Sequence, residues 1–195
     1  MTPHTIYFVR HGETVWNIER RLQGRKDSVL TEAGRAQALA NAETLLEAVP
    51  NLLALPFVSS PLGRARVSME IIRARLGLAI EEYAIDERLA ELGFGEWEGL
   101  TARDVQAKHP GAWEAHEASR WTLVPPDGES YQQLVDRLKS WLADLQGDIV
   151  VVAHGGVGRA LRGMNQDLPL AEIPSVKTPA SDRVYRLVNG TEAVL

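Results

Sequence analysis

The chain contains no cysteine. Disulfide frameworks, thiolate zinc sites, iron–sulfur clusters and a cysteine nucleophile are therefore excluded. Long apolar runs are missing as well. Stretches such as Leu52–Val58 and Ile149–Ala153 fall far short of the roughly 20 residues that span a bilayer. Basic residues are not in excess: 21 Lys and Arg against 26 Asp and Glu leave a formal charge of −5. That balance argues against nucleic-acid binding through a basic face. There is no Gly-Lys pair, and hence no P-loop, and no Gly-x-Ser-x-Gly nucleophile elbow. The opening MTPHTIYFVRHGE lacks the basic n-region and apolar stretch of a signal peptide. The expectation is a cytoplasmic chain with no membrane or nucleic-acid partner.

What remains is ordinary globular material: 195 residues, 45% hydrophobic and 24% charged, close to one domain of usual size. Ile6–Val9 reads as a short buried strand punctuated by Gly12. Thr31 caps a helix over residues 32–49 whose inner face would carry Leu39, Ala42, Leu45 and Val49. Leu53–Val58 is a second strand candidate, running into Ser60 as a cap and Pro61 as a first helical residue. Val67 and Ile71 continue that helix towards Gly77, and Ala79–Ile85 is a third strand candidate. Residues 87–128 carry Trp97, Trp113 and Trp121 among Gly, Pro and charged residues. They predict short helices and loops forming a lid-like insertion, with the tryptophans packing.

Ser130 caps a helix with the apolar stripe Tyr131, Leu134, Val135, Leu138, Trp141, Leu142 and Leu145, stopped by Gly147. Ile149–Ala153 is the uninterrupted apolar strand of a sheet covered on both faces, and Val184–Val188 is a late strand. Strands alternating with helices predict an α/β fold, a three-layer α/β/α sandwich around a mostly parallel sheet, in one domain over residues 1–195. Such sheets bind ligands beyond the carboxyl ends of their strands. Arg10-His11-Gly12, Ser60 to Arg64 and His154-Gly155-Gly156 each follow a predicted strand. If those strands are parallel neighbours, two histidines and two arginines converge on one edge.

Two His and two Arg suit a phosphoryl dianion. Arginines fork two donors onto phosphate oxygens, and Arg64 lies in the first turn of its helix, where the dipole adds attraction. A neutral histidine attacks phosphorus through a ring nitrogen. A second histidine, if protonated, offsets charge on the equatorial oxygens. A nearby carboxylic acid protonates the leaving alkoxide. Other readings fit less well. Gly156-Val157-Gly158 resembles a dinucleotide loop, but its third glycine position is Leu161. A cation held by His11, Glu13 and His154 conflicts with the crowding of arginines. His4, His109 and His116 have no such setting and are expected at the surface. Arg20, Arg21, Arg25 and Lys26 read as a solvated cluster from which one side chain could reach a second acidic group.

Val9-Arg10-His11-Gly12-Glu13-Thr14, with Trp16-Asn17, looks like the signature of the histidine phosphatase superfamily, the phosphoglycerate-mutase-like group. Leu22-Gln23-Gly24, Asp27 and Leu30-Thr31-Glu32-Ala33-Gly34-Arg35-Ala36-Gln37-Ala38, Ser59-Ser60-Pro61-Leu62-Gly63-Arg64-Ala65, Leu89-Ala90-Glu91-Leu92-Gly93-Phe94-Gly95-Glu96-Trp97-Glu98-Gly99 and Val152-Ala153-His154-Gly155-Gly156 resemble further segments in the family's order. The resemblance implies roles that agree with the chemistry above. His11 would be the nucleophile, passing through a phosphohistidine. Arg10, Arg64 and His154 would hold the phosphoryl group. Glu91 would be the general acid and then the base. Asn17 and the Gly155 amide would be secondary phosphate contacts, with Gln23 near the entrance. It implies no metal and no cofactor.

Three functions stand on this site. The first is a metal-independent phosphomonoester hydrolase acting on a small phosphorylated metabolite. The second is a cofactor-dependent phosphoglycerate mutase. The third is a non-catalytic phosphate-ligand or partner-binding protein. Leu22-Gln23-Gly24, Gly128-Glu129-Ser130 and a short middle region with no Arg-Arg pair before Pro125 resemble the phosphatase branch. No catalytic position is lost, which disfavours the binder. The sequence leaves the substrate and the oligomeric state open.

Overall fold

The computed structural model describes residues 4–195. The chain enters through β1 (Ile6–Arg10), the single-turn helix α1 (Val15–Ile18) and α2 (Glu32–Ala48). It continues through β2 (Phe57–Ser59), α3 (Gly63–Arg75) and β3 (Ala84–Ile85). Within residues 87–128 lie 3-10 turns at Glu87–Leu89 and Gly95–Trp97 and two short helices, α4 (Ala102–Lys108) and α5 (Ala112–Ala118). Then come α6 (Tyr131–Ala143), β4 (Ile149–Ala153), α7 (Gly155–Asn165), β5 (Val184–Val188) and β6 (Thr191–Val194).

The six strands form one sheet in the order β3-β2-β4-β1-β5-β6. β2, β4 and β1 are parallel neighbours, with Ile6 opposite Ile149 and Arg10 opposite Ala153. The sheet is mixed because β5 and β6 add antiparallel beyond β1. Side chains alternate across it. Ile6, Phe8, Val151 and Leu187 face α6 and α7. Tyr7, Val9, Val150 and Val152 face α2 and α3. β4 is therefore buried on both faces, which accounts for its unbroken apolar sequence. α6 buries Tyr131, Leu134, Val135, Leu138 and Trp141 as the stripe predicts, but ends at Ala143, before Gly147. No helix among the described residues is long and apolar enough to cross a membrane.

Several local expectations are corrected. Leu53 is 56% exposed. Residues 52–54 form a 3-10 turn, so the second strand is only Phe57–Ser59. The third strand shrinks to Ala84–Ile85 at the sheet edge. On α2 the inner face carries Ala38 with Ala42 and Leu45, while Leu39 is exposed, because the small residue fits against the layer below. α3 begins at Gly63 rather than Pro61, and Ser60 does not cap it. Asp27, far back in the chain, does so instead, accepting from Gly63 N at 2.7 Å and Arg64 N at 3.2 Å. His116 is not at the surface. It is 3% exposed and packs among Phe94, Trp97 and Trp113, with ring centroids 5.5–6.0 Å away.

Candidate active site

The two loops that follow β1 and β2 are stitched to the central strand. His11 N donates to Ala153 O at 2.9 Å and Ser60 N to Val152 O at 3.0 Å. Each continues the parallel ladder one residue past its strand, so the convergence expected from the sequence is built by backbone pairing. His11 is 2% exposed. Its Nδ1 lies 2.7 Å from Gly12 O. A carbonyl only accepts, so Nδ1 carries the proton. Nε2 is then left with its lone pair, the form a nucleophile needs. Gly12 is required for steric reasons: a Cβ there would lie 2.1 Å from Gly34 O.

His154 is fully buried at the start of α7, its ring centroid 5.2 Å from that of His11. Its Nε2 meets Ser60 Oγ at 2.6 Å, and its Nδ1 is buried with no hydrogen-bond partner. Ser60 Oγ already accepts from Leu62 N at 3.3 Å. The hydroxyl still has its proton and a second lone pair, so this contact fits either neutral tautomer of His154.

Arg64 is 2% exposed. Nη1 donates to Lys26 O at 2.7 Å and Asp27 Oδ1 at 3.0 Å, and Nη2 donates to Gly24 O at 2.7 Å. Nε is buried and unpartnered. Two parallel N–H bonds, from Nε and the second Nη2 hydrogen, remain for an anion. Arg10 is held by Pro179 O at 3.2 Å through Nη1, and its Nε is likewise buried without a partner.

These groups shape one another's charge. Burial, then the Arg64 and Arg10 charges, push His11 well below the ordinary imidazole value. Burial, Arg64, His11 and Arg10 do the same to His154. Both shifts favour neutral rings in the free site; a protonated His154, the condition attached to its charge-offsetting role, would need the negative charge of a bound phosphoryl group beside it. Burial also lowers Arg10 and Arg64, but guanidinium groups start so high that both stay charged.

Glu91 reaches the same edge from the segment after β3. Its carboxylate accepts from Gly156 N, with both oxygens at 3.1 Å, and from Leu92 N at 2.8 Å. A Cβ on Gly156 would sit 2.6 Å from Glu91 Oε1, so the second glycine of His-Gly-Gly admits the carboxylate. A Cβ position on Gly155 lies 3.7 Å from Glu91 Oε2 and 3.8 Å from Arg10 Nε, which places acid and arginine around one point. Asn17 and Thr14 make a reciprocal capping box on α1. Thr14 N and Oγ1 both donate to Asn17 Oδ1 at 3.0 Å, so only the Asn17 amide NH2 is left for a ligand.

Arg10, His11, Asn17, Gln23, Arg64, Glu91 and Gly155 line one cavity of about 270 Å³. Gln23 lines it as a buried side chain with Oε1 unpartnered. The Glu13 carboxylate accepts from the Thr31 hydroxyl at 2.9 Å. No group of three or more His, Asp or Glu side chains suited to a metal occurs among the described residues. The cavity also takes in Arg21, Phe94, Tyr131, Arg159 and Thr178. Sequence reasoning flagged Arg21 only as one of a charged cluster, and singled out neither Arg159 nor Thr178. Their one signal was an arginine a helical turn beyond His-Gly-Gly.

The profile of the histidine phosphatase superfamily (branch 1) matches residues 6–190. The chain is 35% identical over 190 residues to glucosyl-3-phosphoglycerate phosphatase of Mycobacterium tuberculosis, covering 90% of this chain and 81% of that one. It is 40% identical over 162 residues to the protein named probable phosphoglycerate mutase GpmB of Citrobacter koseri, covering 77% and 69%. The native structure of mycobacterial glucosyl-3-phosphoglycerate phosphatase superposes with a TM-score of 0.80 at 33% identity, over 94% of this chain and 89% of that one. With its motifs gathered on one sheet edge and its profile matched almost end to end, the chain belongs to the histidine phosphatase superfamily, in branch 1.

Proposed function

We propose that the protein is a metal-independent phosphomonoester hydrolase of a small phosphorylated metabolite, working through a phosphohistidine at His11. The observation that carries this reading is the His11 tautomer. Nδ1–H is committed to Gly12 O, so a bare Nε2 sits beside two charged arginines with unpartnered Nε–H groups.

In the first step His11 Nε2 attacks phosphorus and the ester P–O bond breaks. Glu91, protonated, gives its proton to the departing alkoxide. Arg10, Arg64 and His154 hold the three equatorial oxygens, with Asn17 and the Gly155 N–H as additional donors. In the second step Glu91 takes a proton from water, the oxygen attacks phosphorus, and the P–N bond breaks to return neutral His11 and phosphate. Residues 87–128 supply Glu91, Leu92 and Phe94 to the cavity wall and act as its lid.

Glucosyl-3-phosphoglycerate is the first substrate to try, because relatives bearing that name align along most of both chains. The mutase-named relative supports a second reading, phosphoglycerate isomerisation. One experiment separates them: phosphate release from a panel of phosphomonoesters in excess chelator, with 2-phosphoglycerate measured in the tubes holding 3-phosphoglycerate. Release of phosphate that is lost in His11→Ala is expected. Isomerisation with little free phosphate overturns hydrolysis in favour of the mutase.

A further inference from the structure

Glu91 stands on a stretch with no regular structure of its own. After the 3-10 turn at Glu87–Leu89, residues 90–94 are neither helix nor strand. A side chain on such a backbone keeps its place only if another element holds the peptide. Arg137 reaches this stretch from α6. Its Nη1 donates to Arg88 O, and its Nη2 donates to Glu91 O at 3.2 Å. The same guanidinium is held by Glu129: Nε donates to Oε1 at 2.8 Å and Nη2 to Oε2 at 2.9 Å. Glu129 is buried, and Arg25 Nη2 lies 3.6 Å from its Oε2. Its backbone N–H donates to Gly93 O at 2.8 Å, and its Oε2 accepts from Gly93 N at 3.4 Å. One ion pair thus grips the chain at residues 88, 91 and 93. Neither member of the pair lines the cavity.

An ion pair held out of water gains little stability, and apolar side chains of similar volume often serve as well. What apolar side chains do not supply is direction. A carboxylate bound through two parallel N–H bonds fixes the plane of a guanidinium, and its remaining N–H groups then point at set angles. Here they fall on the carbonyls of Arg88 and Glu91. We propose that Arg137, oriented by Glu129, is a positioning residue for Glu91: it fixes the Glu91 peptide so that the carboxyl group stays against Gly156 N–H, where it serves the leaving-group oxygen. This rests on the hydrolase reading, in which Glu91 is the acid. Arg137 touches no substrate and moves no proton. It acts only through the backbone that carries the acid.

The test reads a leaving-group ratio, kcat/KM for p-nitrophenyl phosphate over that for phenyl phosphate, because the poorer leaving group leans more on the acid. Arg137→Lys keeps a positive charge opposite Glu129 and within reach of His154. One ammonium cannot serve a carboxylate and two carbonyls at fixed angles. The variant is expected to raise the ratio ~10-fold, part of what a well-placed general acid supplies. Glu91→Gln should raise it further, and Arg137→Lys should add nothing in that background. A merely structural role would slow both esters alike and leave the ratio at its wild-type value, which overturns the proposal. So does a further rise when Arg137→Lys is added to Glu91→Gln. Glu129→Leu combined with Arg137→Met removes both charges together. It is expected to melt close to wild type and still raise the ratio. If Glu91→Gln leaves the ratio unmoved, the acid of the hydrolase reading fails and the positioning role falls with it. If Glu91→Gln moves the ratio and Arg137→Lys does not, the positioning role alone fails. Amide NMR decides the point even if no ester is turned over. In Arg137→Lys the Gly156 N–H proton, hydrogen-bonded to the Glu91 carboxylate, is expected to move towards its position in Glu91→Gln. An unmoved resonance rejects the proposal.

Discussion

The carboxylate of Asp27 accepts twice from Arg64, from its backbone N–H at 3.2 Å and its guanidinium at 3.0 Å. One side chain thus caps the start of α3 and aims the arginine that the helix carries. Asp27→Ala is expected to weaken product inhibition by inorganic phosphate and lower kcat/KM by ~10-fold, as a charged hydrogen bond is lost. Loss of the cap costs a further ~1 kcal/mol of stability. Asp27→Asn keeps an acceptor for the backbone and should recover the melting temperature more fully than the phosphate affinity. Equal recovery of both would count against the aiming role.

The neutral histidines set a stability profile against pH. Burial and the two arginines depress His11 and His154 below their unfolded value of 6.5. Below that pH the unfolded chain binds protons that the folded chain does not. Their contribution is therefore complete above pH 6.5 and is lost as pH falls beneath it, by up to ~1.4 kcal/mol per pH unit for each ring. Urea unfolding from pH 7.5 to 5 should show this slope. His154→Gln should flatten it, and an unchanged slope in that variant would remove His154 from the account.

Gly34 meets the catalytic loop back to back. A Cβ there would lie 2.1 Å from Glu13 O, just as one on Gly12 would strike Gly34 O. Both obstacles are backbone, so neither can yield by rotating a side chain. Gly34→Ala is expected to cost ~1–3 kcal/mol as an overpacking change and to lower activity by displacing His11. Thermal melting and p-nitrophenyl phosphate turnover check the two effects together.

Glu91→Gln separates the acid from the rest of the machinery. An alkyl phosphate needs its leaving oxygen protonated, whereas p-nitrophenolate leaves unaided. The variant should slow alkyl esters by ~10²- to 10⁴-fold, the usual worth of general acid catalysis, and slow formation of the phosphohistidine from p-nitrophenyl phosphate far less. Pre-steady-state bursts measure that formation step. Equal slowing of both substrates would deny Glu91 the acid role.

Much of this site is legible in the sequence because three loops follow three strands whose apolar patterns are plain. Ile149–Ala153 announces its two-sided burial, and the Tyr131-to-Trp141 stripe lies inward as spaced. The errors share a cause: contacts made across long stretches of chain. Asp27 displaces Ser60 as the cap of α3 from 36 residues away. His116 reads as polar surface because nothing local shows that Trp97 and Trp113 enclose it. Arg159 reaches Tyr131 over 28 residues and Thr178 over 19, and no local pattern links them. β5 is found, but its antiparallel pairing follows from the chain's return path rather than from its residues.

The ladder bonds from His11 to Ala153 and from Ser60 to Val152 tie the reaction centre to β4, the strand buried along its whole length. Amide exchange at His11 and Ser60 should then track global unfolding, while the short helices α4 and α5 exchange through smaller, independent openings. On that expectation the phosphate cradle and these outer helices open as different cooperative units. Mutations in α4 and α5, which contribute no residue to the cavity lining, could then accumulate without loosening the cradle, so the surface beyond the site could change at little cost in folding.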